Sequence, residues 1–145
     1  MKVKYIQTFF TSAGRESCYA DCLIMVASAI NKTEVTLESV GRAMDLGIDK
    51  GYIKFNQSNY LAASNFYVSN PVAFLKDLTG KRVDVVKETA SYKCKPNEYE
   101  ICFYVKNDRE GSKGIGHFMF GKGPTQASET VRVGYVYSKR IVRVL

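Results

Sequence analysis

A cysteine at the head of an apolar segment is the first residue of this sequence whose position could support chemistry. Cys18 follows a small, polar stretch at 11–16 that is typical of a loop, and Ser17 is well placed to cap a helix. The unpaired backbone N–H groups and the positive dipole end of a helix beginning here favour the thiolate, which is the nucleophilic form of cysteine. We therefore expect Cys18 to be a nucleophile, and a buried cysteine that acts as a small hydrophobe is the alternative.

A single histidine is the second candidate. His117 is the only imidazole in the chain, so histidine acid–base chemistry near neutral pH has no other source. It lies among large apolar residues of a predicted strand, where Gly114 and Gly116 leave space beside it. The alternative is a core histidine that is bonded to the backbone. A cysteine on an early helix and a histidine on a late strand can, however, meet as a thiol and its base.

A buried helix is predicted to follow Cys18. Apolar residues recur at the three-and-four spacing of one helical face, and the remaining side is apolar too, so the helix should cross the middle of the domain. The members of that face are Cys18, Cys22, Met25, Val26, Ala29 and Ile30. Cys22 lies inside the run and is predicted to be a core residue, although it is the rival nucleophile if Cys18 is inert.

Two further helices are predicted in the first half of the chain. Thr36 can cap one that ends at Gly47, and the Asn-Pro pair at 70–71 starts another that runs up to Gly80. The intervening stretch, 49–69, is predicted to form loops with one short helix.

The second half of the chain changes to the two-residue period of strands. Predicted strands cover 83–86, 99–105 and 115–120, and two more, 131–137 and 141–144, are separated by a turn at Ser138-Lys139. Residues 2–10 are predicted to be extended. Helices followed by consecutive strands predict an α+β domain with a mostly antiparallel sheet.

The length of 145 residues suits a single domain, 1–145. The N-terminal segment lacks the features of a secretory signal, and the apolar run from Leu23 to Ile30 is too short to span a bilayer. We therefore expect a soluble, cytoplasmic protein with no membrane partner, in which the four cysteines are free thiols.

The net charge is +7, and the basic residues are scattered along the chain, which indicates a solvated surface. The scattered set includes Lys87, Lys139, Arg140 and Arg143. We find no zinc-finger spacing, no ribonucleoprotein aromatic motif and no dense basic helix, so nucleic acid is not expected as the main partner. An acidic protein or peptide explains the charge equally well.

A metal site is the remaining chemical alternative. Its possible ligands are Cys18, Cys22, Cys94, Cys102 and His117. Cys94 and Cys102 lack the short spacing that is usual for structural zinc, so we expect neither a metal nor a cofactor.

Three motifs together resemble a known family. Gln7, then Ser17-Cys18-Tyr19 opening an apolar helix, then Gly116-His117-Phe118 on a late strand, are similar to motifs of the papain-like cysteine peptidases. The nearest members are small bacterial and phage proteins such as the bacteriocin-leader-processing domains. The resemblance implies one papain-like domain, with helices packed on a C-terminal sheet. It also implies Cys18 as nucleophile, His117 as general base and then acid, and Gln7 as a donor to the oxyanion.

The sequence departs from that family at two points. Gln7 lies farther ahead of the cysteine than is usual, and the Asn or Asp that orients the histidine has no counterpart after His117. Gln126 is the nearest substitute, with Glu129 second, and a Cys–His dyad without an orienting residue is also possible. We therefore expect a cysteine hydrolase that acts on a protein or peptide, or an amidase. The alternative is an inactive papain-like binding module, such as a phage or mobile-element protein that inhibits a host factor.

Overall fold

The computed structural model describes residues 18–55, 66–105, 117–120 and 135–145. These residues form three helices and two antiparallel sheets, which confirms the predicted α+β class. The chain divides into two compact units, Met1–Lys81 and Arg82–Leu145. The single papain-like domain, with its helices packed on the sheet, stays a prediction.

The first helix, α1, spans Cys18–Asn31 and confirms the buried helix predicted from the apolar run. Its side chains are buried around most of its circumference because few of its residues are polar. The buried residues are Ala20, Cys22, Leu23, Ile24, Val26, Ala27, Ser28 and Ile30. Within the first unit α1 contacts both of the other helices, so it forms the centre of that unit's core.

The second helix, α2, spans Leu37–Asp49 and begins as predicted. The Thr36 hydroxyl accepts a hydrogen bond from the Ser39 N–H at 3.0 Å, and the Ser39 hydroxyl accepts one from the Thr36 N–H at 2.9 Å. The predicted end at Gly47 is wrong, because Gly47 lies inside the helix. Its missing side chain instead leaves room for Ile53, whose Cδ1 would lie 2.6 Å from an added Cβ.

Two short strands replace the loops and short helix that were predicted for 49–69. They are β1 (Ile53–Phe55) and β2 (Phe66–Val68), and they pair in antiparallel register. Each has only three residues, which is too few for a period-two pattern to be recognised.

The third helix, α3, spans Pro71–Thr79 and matches its local signals closely. The Asn70 side chain accepts a hydrogen bond from the Ala73 N–H at 3.1 Å, and Pro71 occupies the first position of the helix. Gly80 ends the helix in the left-handed conformation, with φ at 70°.

The second unit contains a four-stranded antiparallel sheet in the order β3-β6-β4-β5. The strands are β3 (Val83–Thr89), β4 (Glu98–Val105), β5 (His117–Phe120) and β6 (Tyr135–Val144). The predicted turn at Ser138-Lys139 is wrong, because β6 continues through both residues. β6 can continue because the side chain of Lys139 is buried and paired with Glu100.

Two predicted segments, 2–10 and 131–134, lie outside the described residues. None of the three described helices is long and apolar enough to cross a membrane. The cytoplasmic location stays a prediction.

Gly80→Ala should lower the free energy of unfolding by about 1 kcal/mol, because a side chain disfavours a positive φ. A Cβ there would meet no atom within 4 Å, so the loss would be conformational and not steric. Urea unfolding of the wild type and the variant measures the loss. Gly80→Asn is the matched control and should lose less, since Asn tolerates this conformation better. Equal stability of Gly80→Ala and the wild type would contradict the assignment.

Candidate functional site

Cys18 is the first residue of α1, as predicted. The first four N–H groups of a helix have no partner within it, so the backbone at this end carries a partial positive charge. In general, a helix N-terminus stabilises a thiolate relative to the thiol. The helix behind it is anchored in the core of the first unit, which fixes the position of the Cys18 backbone.

Asp21 lies in the first turn of the same helix and is half-buried. A carboxylate there interacts favourably with the helix dipole, yet its negative charge opposes a thiolate at the same end. The sequence analysis did not consider this residue. An acidic residue three positions after the predicted helix start was the signal that could have identified it.

His117 is the first residue of β5, which lies at one end of the order of the four described strands. It is paired in register with Tyr104 of β4. Two positions along the strand, Met119 is 1% exposed and belongs to a core cluster with Cys102 and Tyr104. The backbone of the only histidine is thus held by a strand that is anchored in the core of the second unit.

The described residues do not test whether the predicted site residues meet. Gln7 and Gln126 lie outside the described residues, as does Glu129. Cys18 belongs to the first unit and His117 to the second. The Cys18–His117 pair, with Gln7 as donor and Gln126 as orienting residue, stays a prediction.

The three other cysteines are described, and none of them forms a disulfide. Cys22, the rival nucleophile, is 1% exposed, and Cys102 is 0% exposed, so both are core residues. Cys94 is exposed, but partial burial of its thiol and the nearby carboxylates of Glu100 and Glu98 raise its pKa, against a smaller opposing effect of Lys139. None of these three positions favours a reactive thiolate at neutral pH.

A buried ion pair in the second unit was missed by the sequence analysis. Lys139 was counted with the residues of a solvated surface, yet its side chain is 1% exposed. Its Nζ lies 2.8 Å from Glu100 Oε1 and donates to the Tyr92 carbonyl oxygen at 2.7 Å. Pairing and hydrogen bonding allow the charge to be buried, so β6 need not turn at Lys139.

A second buried carboxylate lies beside this pair. Glu98 accepts hydrogen bonds from the Lys95 N–H at 2.9 Å, the Arg143 Nε at 2.6 Å and the Tyr92 hydroxyl at 2.7 Å. These three donors lower the pKa of Glu98 from 4.5 to about 2. The two ion pairs tie β4 to β6, and hydrogen bonds of Tyr92 and Lys95 tie the segment before β4 to the same groups, which is a structural role.

A cleft of about 270 Å³ lies between the helices of the first unit. Its apolar lining comprises Ile24, Ala27, Ala43, Leu46 and Leu78, and its polar lining comprises Ser28, Asn31, Thr33, Ser39 and Arg42. Three of the polar groups already serve the fold. Asn31 donates to the Leu78 carbonyl, Ser39 completes the cap of α2, and Arg42 pairs with Glu38 at 3.3 Å. In the described ranges, no three His, Cys, Asp or Glu side chains are grouped so that they could hold a metal ion.

Comparison with known proteins yields one family match. A family model described as "Protein of unknown function, DUF261" matches residues 1–144. No curated protein and no solved structure matches the chain. The resemblance to papain-like peptidases stays a prediction from the motifs around Cys18 and His117.

Lys139→Met should lower the free energy of unfolding by about 3 kcal/mol, because it leaves Glu100 without its buried cation. The double variant Lys139→Met/Glu100→Gln should recover part of that loss, since no unpaired charge then remains. Lys87→Met, an exposed lysine of the same sheet, is the matched control and should change stability by about 0.5 kcal/mol or less. Urea unfolding of all four proteins tests this, and a Lys139→Met variant as stable as the control would contradict it.

The lowered pKa of Glu98 predicts a loss of stability in acid. Since the folded pKa of about 2 is below the ordinary 4.5, the carboxylate stabilises the fold fully above pH 4.5. Its contribution should fall as the pH is lowered from 4.5 towards 2. Glu98→Gln should be less stable at neutral pH and should show a weaker pH dependence over that interval. Urea midpoints measured across the interval would contradict this if the two proteins changed in parallel.

Proposed function

Because this chain belongs to the DUF261 family, whose description names no activity, we propose a function from its own residues: a cysteine hydrolase that uses Cys18 and His117. The reaction is acyl transfer, with a peptide or amide as the substrate. The observation that carries the proposal is the position of Cys18 at the first residue of a core helix.

The four thiols differ in how far their surroundings favour the thiolate form. Cys22 and Cys102 are closed to solvent, and the pKa of Cys94 is raised, so these residues are poor nucleophiles. The helix N-terminus has the opposite effect on a thiol, because it favours the anion. Cys18 is therefore the cysteine whose backbone position supports a nucleophilic role.

A thiolate at Cys18 and an imidazole at His117 would carry out acyl transfer in two steps. The Cys18 sulfur attacks the carbonyl carbon, and the oxyanion is bonded by the Cys18 N–H, with Gln7 as the further donor that the family resemblance implies. The protonated His117 gives its proton to the leaving amine, which leaves a thioester. Neutral His117 then takes a proton from water as the water attacks, and the acid and the free thiolate are released.

The competing function is a binding module without activity. It is favoured by one observation, the absence of Asn or Asp after His117 in the sequence. In cysteine hydrolases such a residue orients the imidazole and stabilises its charged form. A dyad without it can still react, since the thiolate is also stabilised by the helix.

The proposal predicts that Cys18 is the most reactive thiol. At pH 7 iodoacetamide should alkylate Cys18 at least about tenfold faster than Cys94, because a helix N-terminus lowers a thiol pKa below its ordinary value of about 8.5. Peptide mass spectrometry of a time course measures each cysteine separately. The wild type should be folded, and its cysteines should carry no adduct of the reducing agent. A Cys94→Ala variant is the control and should leave the Cys18 rate unchanged. A Cys18 rate no faster than that of Cys94 would contradict the proposal.

The same proposal predicts an acyl-enzyme. With p-nitrophenyl acetate, an activated ester, the wild type should form an acetyl thioester on Cys18 and release nitrophenol. Cys18→Ala should lose both, whereas Cys94→Ala should retain both. Intact mass spectrometry and absorbance follow the two products. Equal nitrophenol release by the wild type and Cys18→Ala would favour the binding module.

A further inference from the structure

The strand register of the second unit gives its sheet two chemically different faces. Paired residues of neighbouring strands share a face, and alternate residues along a strand lie on opposite faces. One face carries aromatic and cationic side chains, and we call it the aromatic face. Its members used here are Lys87 of β3, Phe103 of β4, Phe118 of β5, and Tyr135, Tyr137 and Arg140 of β6.

The acidic residues of the strands are confined to one face of the sheet, where they lie beside Lys139 and Arg143. Lys87 is paired in register with Arg140, so two cations lie side by side on the aromatic face. The acidic residues of the strands, Asp84, Glu88, Glu98 and Glu100, all occupy positions on the other face. Among the described residues of this sheet, none on the aromatic face is acidic. The face is therefore electropositive in a chain whose net charge is +7.

A register shift concentrates the aromatic rings at one end of the sheet. Phe103 is paired with Ser138 and Tyr104 with Val136, so Tyr137 is an extra residue on β6. The Tyr137 ring meets the Phe103 ring edge-on at 6.4 Å, and Phe103 lies 4.7 Å from Phe118 between ring centroids. The Arg140 guanidinium lies 5.5 Å from the centre of the Phe118 ring.

The rings at this end of the sheet are partly open to a ligand, whereas Val83, Ile101 and Val142 of the same face are buried. Tyr137 is 49% exposed and Tyr135 is 42% exposed. Phe103, Phe118 and Arg140 are half-buried, and Lys87 is exposed.

From this surface we infer that the exposed end of the aromatic face, at Tyr135 and Tyr137, binds single-stranded nucleic acid. Unpaired bases stack on exposed tyrosine rings whatever their sequence, and arginine adds a cation–π contribution. Lys87 and Arg140 are placed to neutralise phosphates of the same strand. The partner is unpaired because a duplex would keep its bases stacked on one another.

This inference goes beyond the proposed hydrolase activity and does not rest on it. The sequence analysis did not expect nucleic acid as the main partner, because it looked for local motifs and a basic helix. A binding face that is assembled from four strands produces neither a local motif nor a basic helix in the sequence. An acidic protein could contact the same two cations. It would not use the aromatic rings, whereas unpaired bases would use both the rings and the cations.

The test is binding of the full chain to fluorescein-labelled single strands of twelve thymidines and of twelve uridines, measured by anisotropy. The wild type should bind, and the affinity should fall steeply between 50 mM and 200 mM salt. Tyr137→Ala should weaken binding about tenfold, whereas Tyr137→Phe should bind almost as well because the ring is kept. Tyr67→Ala removes a tyrosine that is 61% exposed in the first unit and should have no effect.

The charge contribution is tested with a second pair of variants. Lys87→Gln should weaken binding and reduce the slope of log affinity against log salt by about 0.7, as expected for one lost phosphate contact. Lys93→Gln removes an exposed lysine outside the strands and should leave that slope unchanged. Cys18→Ala should bind like the wild type, which separates this site from the hydrolase.

Three results would overturn the inference. They are no binding at 50 mM salt, equal affinity of Tyr137→Ala and the wild type when both are folded by circular dichroism, and equal affinity for a duplex of the same length. Complete competition by polyglutamate at equal charge concentration would instead assign the face to an acidic protein.

Discussion

The burial of α1 is the constraint on which the first unit depends. A helix that is apolar around most of its circumference must be covered on most sides, and α2 and α3 contact it within that unit. The same burial fixes the first residue of the helix, Cys18, at a defined end of a rigid element. A thiol can then be held at a helix N-terminus without a dedicated loop, and this is the physical basis of the proposed nucleophile.

The second unit depends on charges that are buried in pairs. Lys139 with Glu100, and Arg143 with Glu98, connect β6 to β4 and to the segment that precedes β4. These residues occupy one face of the sheet, and the rings with Lys87 and Arg140 occupy the other. The alternation of a strand thus places the ion pairs on one face and leaves aromatic rings partly exposed at one end of the other.

The elements with strong local signals were predicted from the sequence. Both ends of α3 were predicted because Asn70 and Pro71 at its start and Gly80 at its end act through their own backbone conformation and nearest neighbours. The predictions were wrong where distant partners decide. Gly47 could not be recognised as a contact point without knowing that Ile53 packs on it, and Lys139 could not be recognised as buried without Glu100 beside it.

The candidate site was predictable to the same degree. The start of a helix at Cys18 follows from local sequence, and the structure confirms it. The position of His117 in the sheet depends on the order of the four described strands, which no local pattern contains. The proposed pairing of these two residues depends on the arrangement of two units. That arrangement involves residues still farther apart in the sequence, so no local pattern predicts it.

The most direct test of the central claim is the pH dependence of Cys18 alkylation in the wild type and in His117→Ala, resolved by peptide mass spectrometry. The account predicts that the wild-type rate rises with a midpoint well below the free-thiol pKa of about 8.5, and that His117→Ala moves this midpoint upwards. Cys94, measured in the same samples, should keep its profile in both proteins. A Cys18 profile that matches that of Cys94, or that does not respond to His117→Ala, would contradict a Cys18–His117 pair.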